Sequence, residues 1–92
     1  MRKKKLQNES IRLIFGKKIR RLRRDLDWTQ EKLAEQAGMH ATYIGQIERG
    51  QRNVSLDMIA SLAKALNCRP ELFFEDVDLD KIKIKSRKKK KT

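Results

Sequence analysis

Apolar residues recur at helical intervals through most of the chain. Between residues 11 and 26 they lie one, three or four positions apart, so they form one face of a helix about four turns long. The members of this face are Ile11, Ile14, Phe15, Ile19, Leu22 and Leu26. The opposite face is basic and carries Lys17, Lys18, Arg20, Arg21 and Arg24. The pattern predicts an amphipathic first helix with one apolar and one basic face.

Capping and turn residues separate three further helices. Thr29 offers a side-chain oxygen to cap a second helix from Gln30 to Ala37. Gly38 supplies a backbone that accepts positive φ, and the helical period resumes in a third helix from Ala41 to Arg49. Ser55 caps a fourth helix. The second and third helices are therefore predicted to form two short helices joined by a tight turn.

Residues with a left-handed or fixed backbone mark the remaining boundaries. Asp27 and Asn67 tolerate the left-handed conformation better than most residues and are predicted to stop the first and fourth helices. Pro70 suits the first turn of a helix because its missing N–H is harmless there. The PELFF segment, residues 70–74, is therefore predicted to be a fifth helix. The chain is predicted to be all-α, with five helices and no strand.

The positive charge of the chain is concentrated at its two ends. The 92 residues suit a single domain, but 39% of them are charged and only 38% are apolar, so part of the chain is predicted not to pack. The net charge of +12 is distributed as +10 over residues 1–24, −6 over 25–80 and +8 over 81–92. This excess favours a polyanionic partner such as nucleic acid or an anionic membrane surface. We predict a basic N-terminal arm at 1–8, a folded helical domain at 9–76, and an acidic linker with a disordered basic tail at 77–92.

The cysteine, histidine and hydropathy patterns exclude other classes of protein. Cys68 is the only cysteine and His40 the only histidine, so an internal disulfide and a zinc-ligand set are both excluded. Every apolar run is far shorter than the roughly 20 residues of a spanning helix. We therefore predict a cytoplasmic protein with no membrane association, no cofactor, no metal and no enzyme activity.

The segment from Gln30 to Arg49, QEKLAEQAGMHATYIGQIER, carries the most specific motif. Ala34 allows close helix approach and Gly38 allows the turn, as two steeply crossing helices require. The residues predicted to point inward are Leu33, Ala37, Met39, Ile44 and Ile47. The segment resembles the helix-turn-helix of the phage repressor and Cro-like proteins, the XRE family. The resemblance extends from about Ile11 to Phe74 and includes IERG, the SL of helix four and ALN-x-x-PELF.

The resemblance implies a repressor-like helix-turn-helix domain that regulates transcription by binding double-stranded DNA. Within the family, TYIGQIERGQRNVSL looks most like the controller proteins of restriction–modification systems. Two positions depart from the controller pattern. Ala41 stands where controllers usually carry a base-reading Arg, and Val54 replaces the Pro that often follows Asn53. Because of the first departure, the resemblance does not imply that this chain shares the operator preference of the controllers.

The resemblance also assigns residues to the DNA interface. The third helix enters the major groove, and its base-reading set is Ala41, Thr42, Gly45 and Gln46. Gln46 matches adenine N6 and N7, Thr42 offers a hydroxyl and a methyl, and Ala41 offers a small apolar contact. The residues implied at the DNA backbone are Gln30, Tyr43, Arg49, Arg52 and Asn53. Arg23 and Glu48 are implied to form a structural ion pair.

A dimer surface is predicted because repressors of this type read paired half-sites about 34 Å apart. Leu72, Phe73 and Phe74 are three large apolar residues in a row, more than one short helix is expected to bury. We predict that they and the outer part of helix four form a homodimer interface. Two alternatives stay open: an antitoxin with the same fold, and a basic RNA-binding or architectural protein with no sequence preference. A protein partner such as a toxin or polymerase is not specified by the sequence.

Overall fold

The fold is built from four α-helices and two short 3-10 helices in a computed structural model that describes residues 10–82. The α-helices are α1 (Ile11–Asp25), α2 (Gln30–Ala37), α3 (Ala41–Glu48) and α4 (Leu56–Leu66). The 3-10 helices are η1 (Pro70–Phe74) and η2 (Leu79–Lys81). Within this range there is no strand element and no helix long and apolar enough to cross a membrane. The predicted arm, residues 1–8, and most of the predicted tail lie outside the described residues.

The prediction of a fifth α-helix is wrong. Residues 70–74 form a 3-10 helix, in which the Leu72 N–H donates to the Arg69 carbonyl and the Glu75 N–H to the Leu72 carbonyl. Five residues are too few to build a ladder of i to i+4 hydrogen bonds, so the tighter i to i+3 pattern is formed instead. The element is at its predicted place, but its helical type is different.

The predicted helix boundaries agree with the structure to within one residue. Thr29 caps α2 by accepting a hydrogen bond from the Lys32 N–H at 3.0 Å, and Ser55 caps α4 by accepting one from the Met58 N–H at 3.1 Å. Asp27 and Asn67 adopt φ of 59° and 55°, the left-handed stops that were predicted. α1 and α3 each end one residue earlier than expected, which leaves Arg49 as the C-cap of α3. Local backbone chemistry therefore accounts for the helical segments.

The core lies where the four α-helices and η1 meet, and α2 contributes Leu33 and Ala34 from its middle. Its fully buried large side chains are Ile19, Leu33, Ile44, Ile47, Leu62 and Phe73. The apolar face of α1 is buried only at its centre, since Ile11 and Leu26 are 42% and 45% exposed. This small core holds α3 with one face inward and the other face in solvent.

Gly16 permits the close approach of α1 to the C-terminal end of α3. A Cβ atom at this position would lie 2.8 Å from the Glu48 carbonyl oxygen and would also collide with the Ile47 carbonyl oxygen. Because both obstacles are backbone atoms, no side-chain rotation relieves them. The absence of a side chain at Gly16 therefore sets the distance between these two helices.

Lys18 is buried, although it belongs to the basic face of α1. Its side chain is 4% exposed, and Nζ lies 2.6 Å from Glu75 Oε2 and 2.8 Å from Asp76 Oδ2. Hydrogen bonds to Asp76 and Glu75 raise the pKa of Lys18 above its ordinary value. The two carboxylates follow η1 and supply the charge partners that a buried ammonium requires. Lys18 thereby ties the end of η1 to α1.

Candidate nucleic-acid interface

The solvent-facing side of α3 is a narrow surface held in place by the core. Ile44 and Ile47 are 0% and 1% exposed, which fixes the rotation of the helix about its axis. Thr42 is exposed, while Ala41 and Gln46 are half-buried. These three predicted base-reading residues therefore share one accessible side of α3, with Thr42 near its N-terminal end.

Gly45 lies between Ala41 and Thr42 around the axis of α3, at about 100° of rotation for each residue, and its place among the base-reading residues stays a prediction. It is buried, because the side chains of Gln30 and Arg49 cover it. A Cβ built on Gly45 would lie 3.3 Å from Arg49 Nη1 and 3.4 Å from Gln30 Oε1. Gly45 therefore provides the space in which these two polar side chains rest against α3.

A buried ion pair joins α1 to α3, as the family resemblance implied. Arg23 Nε donates to Glu48 Oε2 at 2.6 Å, and Arg23 Nη2 donates to Glu48 Oε1 at 2.9 Å. The side chains are 10% and 3% exposed. Arg23 Nη1 also donates to the Trp28 carbonyl at 2.7 Å, and the hydrogen bonds to Glu48 raise the pKa of Arg23. Both charges are therefore paired in a bidentate arrangement, which leaves few polar atoms of either buried side chain without a hydrogen-bond partner.

Gln30 extends this network to the N-terminus of α2. Its Nε2 donates to Glu48 Oε1 at 3.0 Å, so one carboxylate holds side chains from both α1 and α2. Sequence reasoning assigned Gln30 to the DNA backbone and did not foresee this bond. The start of α2, where free N–H groups favour a phosphate, is thus connected directly to the buried Arg23–Glu48 pair.

A second polar cluster lies between the accessible side of α3 and the loop after it. Arg52 Nε donates to Gln46 Oε1 at 2.8 Å, and the Arg52 guanidinium lies 4.8 Å from the centre of the Tyr43 ring. The ring face attracts the cation, and the hydrogen bond orients the Gln46 amide. Asn53 follows in the same loop and is exposed. The sequence marked all four residues separately, but only the structure joins three of them.

The predicted dimer residues do not share one environment. Phe73 is 0% exposed and packs edge-on against Phe15 with ring centroids 5.4 Å apart, so its predicted place in a dimer interface is wrong. η1 contacts both α1 and α4, and its middle side chain therefore enters the core. Leu72 and Phe74 are half-buried, and Phe74 lies 5.5 Å from Phe15. Leu56, at the start of α4, is 84% exposed.

Cys68 and His40 are the remaining side chains with distinctive chemistry in the part of the chain that the structure describes. Cys68 is half-buried, and burial raises the pKa of its thiol, which disfavours the nucleophilic thiolate. His40 occupies the N-cap position of α3 without a side-chain capping bond. From residue 10 to residue 82, no three His, Cys, Asp or Glu side chains are grouped as a metal site would require.

Comparisons with known proteins agree with this geometry. The family model HTH_3, described as helix-turn-helix, matches residues 19–73. Control protein C.BamHI of Bacillus amyloliquefaciens is 51% identical over 63 residues, covering 67% of this chain and 78% of that protein. Control protein C.SmaI of Serratia marcescens is 47% identical over 57 residues, covering 62% and 68%. The crystal structure of the restriction-modification controller protein C.AhdI from Aeromonas hydrophila superposes with a TM-score of 0.67 at 44% identity, covering 68% of this chain and 96% of that one.

Proposed function

This chain belongs to the HTH_3 helix-turn-helix family, the XRE-type regulators, and we propose that it is a sequence-specific regulator of transcription that binds double-stranded DNA as a homodimer. One observation carries the proposal: the core turns Ile44 and Ile47 inward and leaves Thr42 and Gln46 on an accessible side of α3. A helix of this length fits the major groove with that side toward the bases. Residues 9–76 are the proposed DNA-binding domain, and the basic ends of the chain add attraction to phosphates.

Gln46 is the proposed principal base reader. The amide oxygen has two lone pairs, so it accepts from Arg52 and still accepts from adenine N6 while the amide nitrogen donates to N7. Thr42 adds a hydroxyl or a methyl contact, and Ala41 adds a small apolar contact. Ala41 stands at the position where controllers usually carry a base-reading Arg. We therefore expect the operator of this protein to differ from theirs at the base that this Arg contacts.

The proposed backbone contacts flank this base-reading surface. Gln30 and the free N–H groups at the start of α2 lie on one side, and Arg52 and Asn53 lie in the loop on the other. Arg49 is exposed beside Gly45, and Tyr43 supports the Arg52 guanidinium. These contacts orient α3 in the groove without reading sequence.

Replacing Gln46 with alanine tests the base-reading role. We expect Gln46→Ala to weaken binding at the preferred site by about 1–3 kcal/mol while leaving affinity for random duplexes unchanged, because a base contact is lost and no charge is removed. The preferred site is first obtained by selection from random duplexes, and affinities are then measured by fluorescence anisotropy. Gln36→Ala, an exposed glutamine on α2, is the matched control and should bind like wild type. Equal losses on all sequences would contradict the proposal.

The proposed homodimer uses Leu72, Phe74 and the outer part of α4. We expect Leu72→Asp to yield a folded monomer, since burying a carboxylate in a desolvated apolar contact costs about 2 kcal/mol or more of dimerisation free energy. Sedimentation at micromolar concentration measures the change, with circular dichroism as the check on folding. Leu79→Asp is the matched control, because Leu79 is 78% exposed on η2, outside the proposed interface. A wild-type monomer, or a Leu72→Asp dimer as tight as wild type, would refute the interface.

A further inference from the structure

Four cations form a row on the outer side of α1, which we call the α1 ridge: Lys17, Arg20, Arg21 and Arg24. All four side chains are exposed. None of them forms an ion pair with another residue in the range 10–82. Together with Asp25, a single carboxylate at the edge, they line a shallow open depression of about 340 Å³. The ridge is therefore a concentrated positive surface without an intramolecular partner in the described part of the chain.

The ridge lies on the side of α1 that neither neighbouring element covers. Gly16 faces α3, and Lys18 faces the carboxylates after η1. At about 100° of rotation for each residue, the centre of the ridge points away from both contacts, while Arg20 lies about 40° from Gly16 and Arg21 about 60° from Lys18 around the helix axis. Lys18 differs from its four basic neighbours in this respect, because its charge is neutralised inside the protein. The basic residues of α1 thus serve two separate roles.

The spacing of the ridge is unfavourable for an isolated helix. Lys17 and Arg21, like Arg20 and Arg24, are four positions apart, and like charges at this spacing repel each other. A bound polyanion removes this repulsion. Along the helix axis the row extends about 10.5 Å, the axial distance spanned by about three phosphates of one DNA strand.

The recognition surface itself contains few cations. The accessible side of α3 and the loop after it contribute Arg49 and Arg52, whereas DNA-binding proteins commonly neutralise about 6–10 phosphates. α1 is locked to α3 through Gly16 and the Arg23–Glu48 pair, so ridge and recognition surface belong to one rigid unit. We propose that the α1 ridge binds the phosphate backbone of double-stranded DNA independently of base sequence. The proposal rests on the proposed function for its choice of DNA as the polyanion.

The test is a salt titration of the full-length chain on a random-sequence duplex. Arg20→Gln/Arg24→Gln removes two ridge charges, and Lys64→Gln/Arg69→Gln removes two exposed charges from α4 and the turn after it. Each of these two variants loses two positive charges, so an effect of net charge alone on the salt dependence would be the same in both. Arg20→Lys/Arg24→Lys keeps the ridge charge. Thermal unfolding shows whether each variant is folded.

We expect the slope of log affinity against log salt to become shallower by about 1.8 per subunit in the ridge Gln variant, since each phosphate contact contributes roughly 0.9. The ratio of wild-type affinity to variant affinity for the random duplex then falls about twelvefold between 0.05 and 0.2 M salt. The control and the Lys variant should keep the wild-type slope. The ratio of specific to random affinity should stay unchanged in all three.

Equal slopes for the ridge variant and the Lys64/Arg69 control would overturn the proposal, and so would a Lys variant that loses as much as the Gln variant. The two proposals fail separately. A chain that prefers no sequence, yet shows the ridge effect on slope, refutes the proposed function and supports the ridge. A chain with a preferred site and no ridge effect does the reverse.

Discussion

Glu48→Ala is expected to destabilise the folded domain by about 3–5 kcal/mol, because it leaves the buried Arg23 guanidinium without its charge partner. The same change removes the acceptor for the Gln30 amide, so the start of α2 and the C-terminal end of α3 lose their shared anchor. DNA binding should therefore weaken at both specific and random sites. Urea unfolding followed by circular dichroism measures the stability loss, and the slope with urea should stay unchanged.

Two matched variants separate the buried pair from a general charge effect. Glu71→Ala also removes a carboxylate that pairs with an arginine, but the Arg69 and Glu71 side chains are 86% and 64% exposed, so solvent screens the pair and the stability should change little. Replacing Arg23 and Glu48 together with methionine should cost less than Glu48→Ala, since no buried charge remains unpaired. If Glu48→Ala were as stable as Glu71→Ala, the pair would have no structural role.

Phe73→Ala is expected to cost about 3–5 kcal/mol of folding stability, because it leaves a cavity beneath η1 in a core of few large side chains. The loss should be the same at low and high protein concentration, since Phe73 packs within its own chain against Phe15. Thermal unfolding over a range of concentrations measures it. Phe74→Ala, at the half-buried neighbour, is the matched control and should cost clearly less.

The opposite pattern would restore Phe73 to the dimer interface. In that case Phe73→Ala would change the dimer dissociation constant measured by sedimentation and leave the unfolding of the dilute monomer unaffected. The expected pattern instead separates two functions of adjacent residues: Phe73 stabilises the fold, and Leu72 and Phe74 remain available for a second copy.

Features that depend on a few neighbouring residues were predictable. Thr29 and Ser55 cap the N–H groups three residues ahead, and Asp27 and Asn67 adopt left-handed backbones, so each boundary follows from chemistry within one turn. The inward rotation of α3 followed from its apolar period in the same way. The Arg23–Glu48 pair was reached through family resemblance, because its partners are 25 positions apart.

Features that depend on contacts between distant segments required the tertiary structure. Lys18 looks like its solvated neighbours until Glu75 and Asp76, nearly 60 positions later, are brought to it. Gly16 looks like an ordinary helical glycine until the backbone of α3 lies against it. Phe73 was assigned to a dimer surface from the apolar run 72–74, but it packs against Phe15 of α1 and is fully buried.

The sequence by itself therefore determined the helices, their order and the side of α3 that faces outward. The tertiary structure decided which of the polar and apolar groups offered by those helices remain accessible. The physical reason is the range of each interaction: capping and periodicity act within about four residues, whereas burial and ion pairing depend on segments that meet only after folding.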